Sequence, residues 1–202
     1  MDLDWKELEH MTVGVTSAGS GVGKDTVADF IAEALRAKGR KVRRAAFATP
    51  LRECVEALTG VTVAESQTAE GKARHIPELQ MSVGRLLQVL GTDAVRNNVH
   101  KDAWCHALFR RFAADEIAVI SDVRFPEEAA AVTNRKGLIV EVKGPRRRGL
   151  GGRDPKHESE KGLGWAGREM GRVVLHNSGT LEELRAKVET ELVDVMWPTP
   201  GE

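Results

Sequence analysis

Apolar positions along the chain follow two rhythms. Residues 11–16, 41–48, 117–120, 138–142 and 173–175 are short apolar or alternating runs of strand length. The run 117–120 is apolar throughout, as expected of a strand buried on both faces of a parallel sheet. Between these runs the spacing becomes helical. Val27, Phe30, Ile31, Ala34 and Leu35 share one helical face, and Gly39 is a suitable stop. Leu51, Val55 and Leu58 form a second stripe, with Thr49 as expected cap, Pro50 in the first turn and Gly60 at the end. Val83, Leu86, Leu87 and Leu90 mark a third helix; Cys105, Leu108, Phe109 and Phe112 mark a fourth. Thr180 and Glu183 make a capping box for a last helix, carried by Leu181, Leu184, Val188, Leu192 and Val195 as far as Pro198.

Strand and helix alternate, which predicts an α/β fold with a central parallel sheet flanked by crossover helices. Two stretches break the rhythm. Residues 61–81 are polar and weakly patterned, and read as a loop or small insertion. Residues 144–164, "GPRRRGLGGRDPKHESEKGLG", are too rich in Gly and Arg for a core element and read as a mobile loop.

Composition narrows the function classes. The 202 residues suit one domain, and 41% hydrophobic with 30% charged residues is ordinary for a globular chain. Lys+Arg and Asp+Glu both total 30, so the net charge is zero. That argues against binding a nucleic-acid polymer or a membrane surface, while leaving room for a local basic pocket. Cys54 and Cys105 are isolated, so neither a zinc framework nor a disulfide framework is indicated. With no long apolar run and no signal-like start, a cytoplasmic enzyme is expected.

The first strand and first helix are joined by "SAGSGVGKDT", residues 17–26. Gly19, Gly21 and Gly23 let the backbone curl so that successive N–H groups face an anion. The helix that follows adds its positive end, and Lys24 can reach the β- and γ-phosphates of a nucleotide. The pattern G-x-x-x-x-G-K-[ST] is broken twice, by Ala18 and by Asp25. Ala18 is a small change at the loop entrance. Asp25 replaces a metal-binding hydroxyl with a carboxylate, which suits Mg²⁺, and Thr26 offers a hydroxyl one residue later. The expected ATP-binding set is Ala18, Gly19, Ser20, Gly21, Val22, Gly23, Lys24, Asp25 and Thr26. A glycine-rich turn without a ligand is the plainer reading; the flanking strand and helix and the lysine in register favour phosphate.

Four further stretches carry a resemblance: "FATPLRECV" after the second strand, "SVGRLLQVLGTDAVRNNVHKDAW" over residues 82–104, "ISDVRFPEEAAAV" at the apolar strand, and "HNSGTLEEL" before the last helix. With "GKDT" they resemble the phage-type deoxynucleoside monophosphate kinases, a branch of the P-loop kinases, over residues 11–188. The pattern from Arg85 to Arg96 is the most diagnostic; residues 1–10, residues 61–81 and the Arg-rich loop are not matched in detail. The resemblance implies one P-loop nucleotide kinase domain over 1–202. Within it, 1–10 is a flexible N-terminus, 49–115 a helical acceptor-binding region and 143–164 a mobile lid.

The resemblance also implies an acceptor site built from Arg52, Arg85, Gly91 and Trp104, with Arg96 closing the same motif. Residue chemistry agrees. An arginine fork suits a monophosphate dianion, a tryptophan face can stack a base, and Gln88 has donor and acceptor atoms for a base edge. Asp122 ends an apolar strand, where P-loop enzymes carry an acidic metal ligand, and a capping role ahead of Pro126 is the competing reading. Arg124 is expected in the same crevice. Asn177 and Gly179 resemble the segment that lies against adenine in related kinases, with a simple helix-start turn held at nearly equal weight. Arg146, Arg147, Arg148 and Arg153 are expected in the lid, and His157, Glu158 and Glu160 at its return, without metal-ligand spacing.

These readings converge on transfer of the ATP γ-phosphoryl group to the 5′-phosphate of a deoxynucleoside monophosphate. Lys24, Arg124 and Arg148 would neutralise the moving charge, and Asp25, Thr26 and Asp122 would hold Mg²⁺. The expected partners are ATP and the mononucleotide, with no nucleic-acid polymer and no membrane; a homodimer is open. The compartment is the cytoplasm, the host's if a phage encodes the chain. The alternatives are a dephospho-coenzyme A kinase or phosphomevalonate kinase on the same fold, and a non-catalytic nucleotide-binding regulator.

Overall fold

The structure, a computed structural model, describes residues 12–17, 21–145, 156–158, 163 and 172–198. In chain order the first elements are β1 (Val13–Thr16), α1 (Lys24–Ala37), β2 (Val42–Ala45), α2 (Ala48–Thr59), α3 (Val63–Gln67), α4 (Ala69–Ala73), β3 (His75–Ile76) and β4 (Met81–Ser82). They are followed by α5 (Val83–Gln88), α6 (Ala103–Phe109), β5 (Ile117–Ile120), α7 (Pro126–Thr133), β6 (Leu138–Lys143), β7 (Arg172–His176) and α8 (Leu181–Lys187).

Five strands form one sheet in the order β2-β5-β1-β6-β7, and every neighbouring pair is parallel. This is the α/β P-loop kinase arrangement expected from the alternation of patterns. The chain leaves β1 to one side for β2 and β5, then crosses to the other side for β6 and β7. That reversal leaves a crevice beside the carboxyl end of β1, where open α/β sheets bind ligands.

The period of two along each strand divides the core between the two faces of the sheet. Val13, Val15, Ile117 and Val119 pack with Val27, Ile31 and Leu35 of α1, and with Leu184 of α8 and Val188 and Leu192 beyond it. Ala118, Ile120 and Ile139 pack on the other face with Leu108 of α6 and Ala129 and Val132 of α7. A third cluster stands apart: Leu51, Val55, Val61, Ile76, Val83, Leu86, Leu87 and Trp104. It welds α2, α5 and α6 into a separate wall beside the sheet.

Gly39 and Gly60 follow α1 and α2 in the left-handed region, at φ 76° and 69°, as their places in the sequence predict. Two expectations need correction. Thr49 does not cap α2, because the helix begins one residue earlier at Ala48 and the residue before it, Phe47, offers no side-chain acceptor. The carboxylate of Asp122, at the exit of β5, accepts the N–H groups of Phe47 at 2.7 Å and Ala48 at 2.9 Å instead. Residues 61–81 are not a plain loop: they form α3, α4 and the antiparallel β3–β4 hairpin. Their helices begin at side-chain caps, Thr62 and Thr68, and bury few apolar residues, so the stripe that reveals longer helices is missing. Finally, α5 runs on through a wider π-helical stretch, Val89–Arg96, and α8 through Val188–Val193 to a last turn at Asp194–Met196. Such wide turns gather at functional sites, and the first of these two carries Gly91 and Arg96.

Candidate active site

Of the predicted ATP-binding loop, Ala18, Gly19 and Ser20 lie outside the described residues. Gly21 and Gly23 adopt φ 84° and 94°, which a side chain would strain. Lys24, half-buried, opens α1; Asp25 is exposed and Thr26 half-buried in its first turn. Arg44 of β2 steadies that turn, bonding Asp29 at 2.7 Å through Nε and reaching the Asp25 carbonyl at 3.5 Å. A Cβ at Gly23 would meet Asn177 Nδ2 at 2.5 Å. Asn177 is buried, and its side chain donates to the Val22 carbonyl at 2.9 Å while its own N–H donates to Lys143 at 2.7 Å. The contact it makes is therefore with the back of the loop, which adds a role that "HNSGT" did not suggest.

A cleft opens between α2, α5 and the exit of β5. Phe47, Leu51, Leu87, Trp104 and Phe125 give it an apolar floor; Arg52, Lys72, Gln88, Arg96 and Arg124 give it polar and cationic walls; Asp122 and Glu128 supply the acids. The predicted residues Arg52, Gln88, Gly91, Arg96, Trp104, Asp122 and Arg124 are thus brought together. Arg85 is not among the lining residues. Its guanidinium lies 3.8 Å from Asp93, on the flank of the α5 extension.

Each wall residue is held. Arg52 donates to the Ser66 carbonyl at 3.0 Å, so α3 fixes its reach. Burial pulls its pKa below the usual value; Asp122 and Asp25 oppose that, and Arg124 adds to it. One guanidinium therefore feels charges from the exit of β5 and from the first turn of α1. Trp104 is 9% exposed and its indole N–H donates to the Gly91 carbonyl at 2.8 Å, which makes it core and cleft floor at once. A Cβ at Gly91 would lie 2.6 Å from Leu51 Cδ2, so a side chain there would push Leu51 aside. Arg96 pairs with Glu128 at 2.6 Å, donates to the Lys101 carbonyl at 2.8 Å and stacks its guanidinium 3.9 Å from the centre of the Phe125 ring. Its buried Nε has no partner among the described residues.

Sequence reading missed Glu128 and Lys72. Glu128 is buried, pairs with Arg96, and accepts the N–H groups of Arg124 at 2.8 Å and Phe125 at 3.2 Å. Burial pushes its carboxyl up to about 7; Arg96 pulls it down, Asp122 pushes it further up, and the two N–H groups pull it down. Its sequence signal was available: a Glu two residues after Pro126 at a helix start is the reciprocal half of a capping box. Lys72 comes from the stretch read as a loop, and no periodicity flagged it. Arg146, Arg147, Arg148, Arg153 and Glu160 lie outside the described residues. His157 approaches Asp93 at 3.3 Å, while Glu158 is exposed.

Asp25, Thr26 and Asp122 are hard oxygen donors, the chemistry Mg²⁺ prefers. Asp122 and Asp25 each favour the charged form of the Arg52 guanidinium. Each Asp122 oxygen accepts one N–H and keeps a lone pair for an ion or its water. The set fits the ion.

Fold and site define a phosphate-binding α/β protein with a second, arginine-walled cleft beside its glycine turn. A family model for deoxynucleotide monophosphate kinase matches residues 55–188, and the chain belongs to that family. Over 75 residues it is 33% identical to the deoxynucleoside-5′-monophosphate kinase of Escherichia phage T5; this stretch is 36% of the chain and 30% of the phage protein. The similarity thus spans under a third of the relative's length. Among the described residues no helix is long and apolar enough to cross a membrane.

Proposed function

We propose that the protein transfers the γ-phosphoryl group of ATP to the 5′-phosphate of a deoxynucleoside monophosphate, giving a deoxynucleoside diphosphate and ADP. The observation that carries this is the cleft itself: an apolar floor that includes Trp104 and Phe125, with Arg52, Lys72, Arg96 and Arg124 around it, at the exit of β5. Cations flanking an aromatic floor suit a molecule with a phosphate at one end and a flat ring at the other.

The domain works as two sides. The turn at 17–26 grips the triphosphate, with Lys24 against its β- and γ-oxygens. The region 49–115 holds the acceptor, with Trp104 and Gln88 at the base and Arg52 and Arg124 at the phosphate. Asp25, Thr26 and Asp122 would hold Mg²⁺, which when bound neutralises and orients the phosphates. The acceptor phosphate is already anionic near neutral pH, so no general base is required, and rate comes from alignment and charge neutralisation. Arg148, with the rest of residues 143–164, is assigned to closing the site and excluding water. Arg85 acts from the second rank, through Asp93. The cytoplasm is the expected compartment.

The test is a panel of nucleoside monophosphates, dephospho-coenzyme A and phosphomevalonate, each with ATP and Mg²⁺, scored for phosphorylated product. Diphosphate formed from one or more deoxynucleotides supports the assignment. ATP turnover only with the other acceptors, or with none, defeats it.

A further inference from the structure

A second cluster of reactive side chains lies outside the cleft. The sequence 100–106 places His100, Asp102 and His106 at the start of α6. Asp102 stands just before the helix and His106 one turn on; the His106 N–H donates to the Asp102 carbonyl at 3.0 Å, so the two side chains share a face. His100 comes from the turn before. The Asp102 N–H donates to its Nδ1 at 3.1 Å, and that nitrogen lies 4.0 Å from Asp102 Oδ2. The two imidazole centres are 6.0 Å apart. One ligand atom from each of the three residues lies within 4.8 Å of the other two.

We propose that His100, Asp102 and His106 bind a divalent transition ion of the zinc class, with water completing its coordination. Donors at about 2.0–2.2 Å from one Zn²⁺ sit roughly 3–4 Å from each other, so the cluster must close by only about 1 Å. The two histidines are exposed and can make that movement. Two imidazoles and one carboxylate prefer Zn²⁺, Co²⁺ or Ni²⁺ to Mg²⁺, which takes oxygen ligands. The Nδ1 lone pair of His100 already points at the Asp102 amide, towards the carboxylate, because it accepts that N–H. An ion would take the proton's place, leaving the amide to solvent.

The position gives the ion something to hold. Between the ligands, Lys101 offers the carbonyl that receives Arg96, and Trp104 fills the cleft floor. A bound ion would tie together the turn that carries both. The inference stands on these three residues and not on the proposed reaction.

The experiment titrates the full chain with Co²⁺, followed by its visible absorption, and with Zn²⁺ by calorimetry in excess Mg²⁺. The expected result is one ion per chain, Co²⁺ displaced by Zn²⁺, and a raised thermal midpoint. His106→Ala and His100→Ala should each weaken binding by at least about tenfold, while their metal-free melting stays near wild type. Cys54→Ser, which removes the exposed thiol, should leave binding intact. No saturable binding in wild type, unchanged binding in both histidine variants, or loss of binding in Cys54→Ser would each overturn the proposal.

Discussion

The side-chain amide of Asn177 donates to the carbonyl of Val22 at 2.9 Å, across 155 positions of sequence. The residue that follows the last strand thereby braces the glycine turn. Asn177→Ala should leave that carbonyl unpaired and open space over Gly23. We expect a loss of about 1–3 kcal/mol, read by urea unfolding, and a rise in the KM for ATP that exceeds any rise for the acceptor.

Arg52 and Arg85 both come from motifs of the family, yet only Arg52 lines the cleft. Arg52→Ala should raise the acceptor KM by about tenfold or more, the cost of one charge-assisted contact of about 1.4 kcal/mol. Arg85→Ala should raise it less. Steady-state kinetics with ATP saturating decides the order, and a larger effect at Arg85 would move the acceptor phosphate to the other side of α5.

Lys24→Ala should lower turnover by at least about a hundredfold, the usual loss when a group that stabilises transition-state charge is removed. Circular dichroism should show an unchanged fold, because Lys24 sits at the helix start and outside the core. Activity near wild type would remove Lys24 from the phosphoryl path.

Gly91→Ala pushes a methyl group towards Leu51, whose nearest carbon would be 2.6 Å away. Leu51 can yield only into the cleft it lines or into the packed cluster behind it. The acceptor KM should rise by about fivefold while the KM for ATP holds, and overpacking should cost about 1–3 kcal/mol of stability. Equal changes in both constants would place the acceptor elsewhere.

Burial raises the Glu128 carboxyl to about 7 in the folded chain, above its ordinary value of 4.5. Folding therefore binds a proton between those values, and stability contributed by this group falls as pH rises through that window, levelling off above it. Glu128→Gln removes the titration. Unfolding free energies of wild type and variant, compared between about pH 5 and about pH 8, should show the advantage of wild type shrinking as pH rises. Parallel curves would show that Arg96 and the two N–H groups outweigh burial. The variant should be the less stable at both ends: a glutamine oxygen in place of Oε2 can accept the N–H groups of Arg124 and Phe125, but its N–H₂ then faces the Arg96 guanidinium, donor against donor.

Much of this molecule was legible from local pattern. The apolar run Ile117–Ile120, the stripe of α1, the stops at Gly39 and Gly60 and the capping box at Thr180 each depend on a few neighbouring residues, and each stands as read. The need for glycine at 21 and 23, which adopt φ 84° and 94°, was legible for the same reason: a tight turn needs its residues adjacent in sequence. What only the tertiary structure decided joins residues far apart. Asp122 caps a helix that precedes it by more than sixty residues, its two oxygens taking the N–H groups of Phe47 and Ala48. Glu128 draws in Arg96, and Asn177 braces Val22. A buried charge or orphan carbonyl takes whichever partner the fold brings within about 3 Å, and periodicity along the chain carries no information about that meeting.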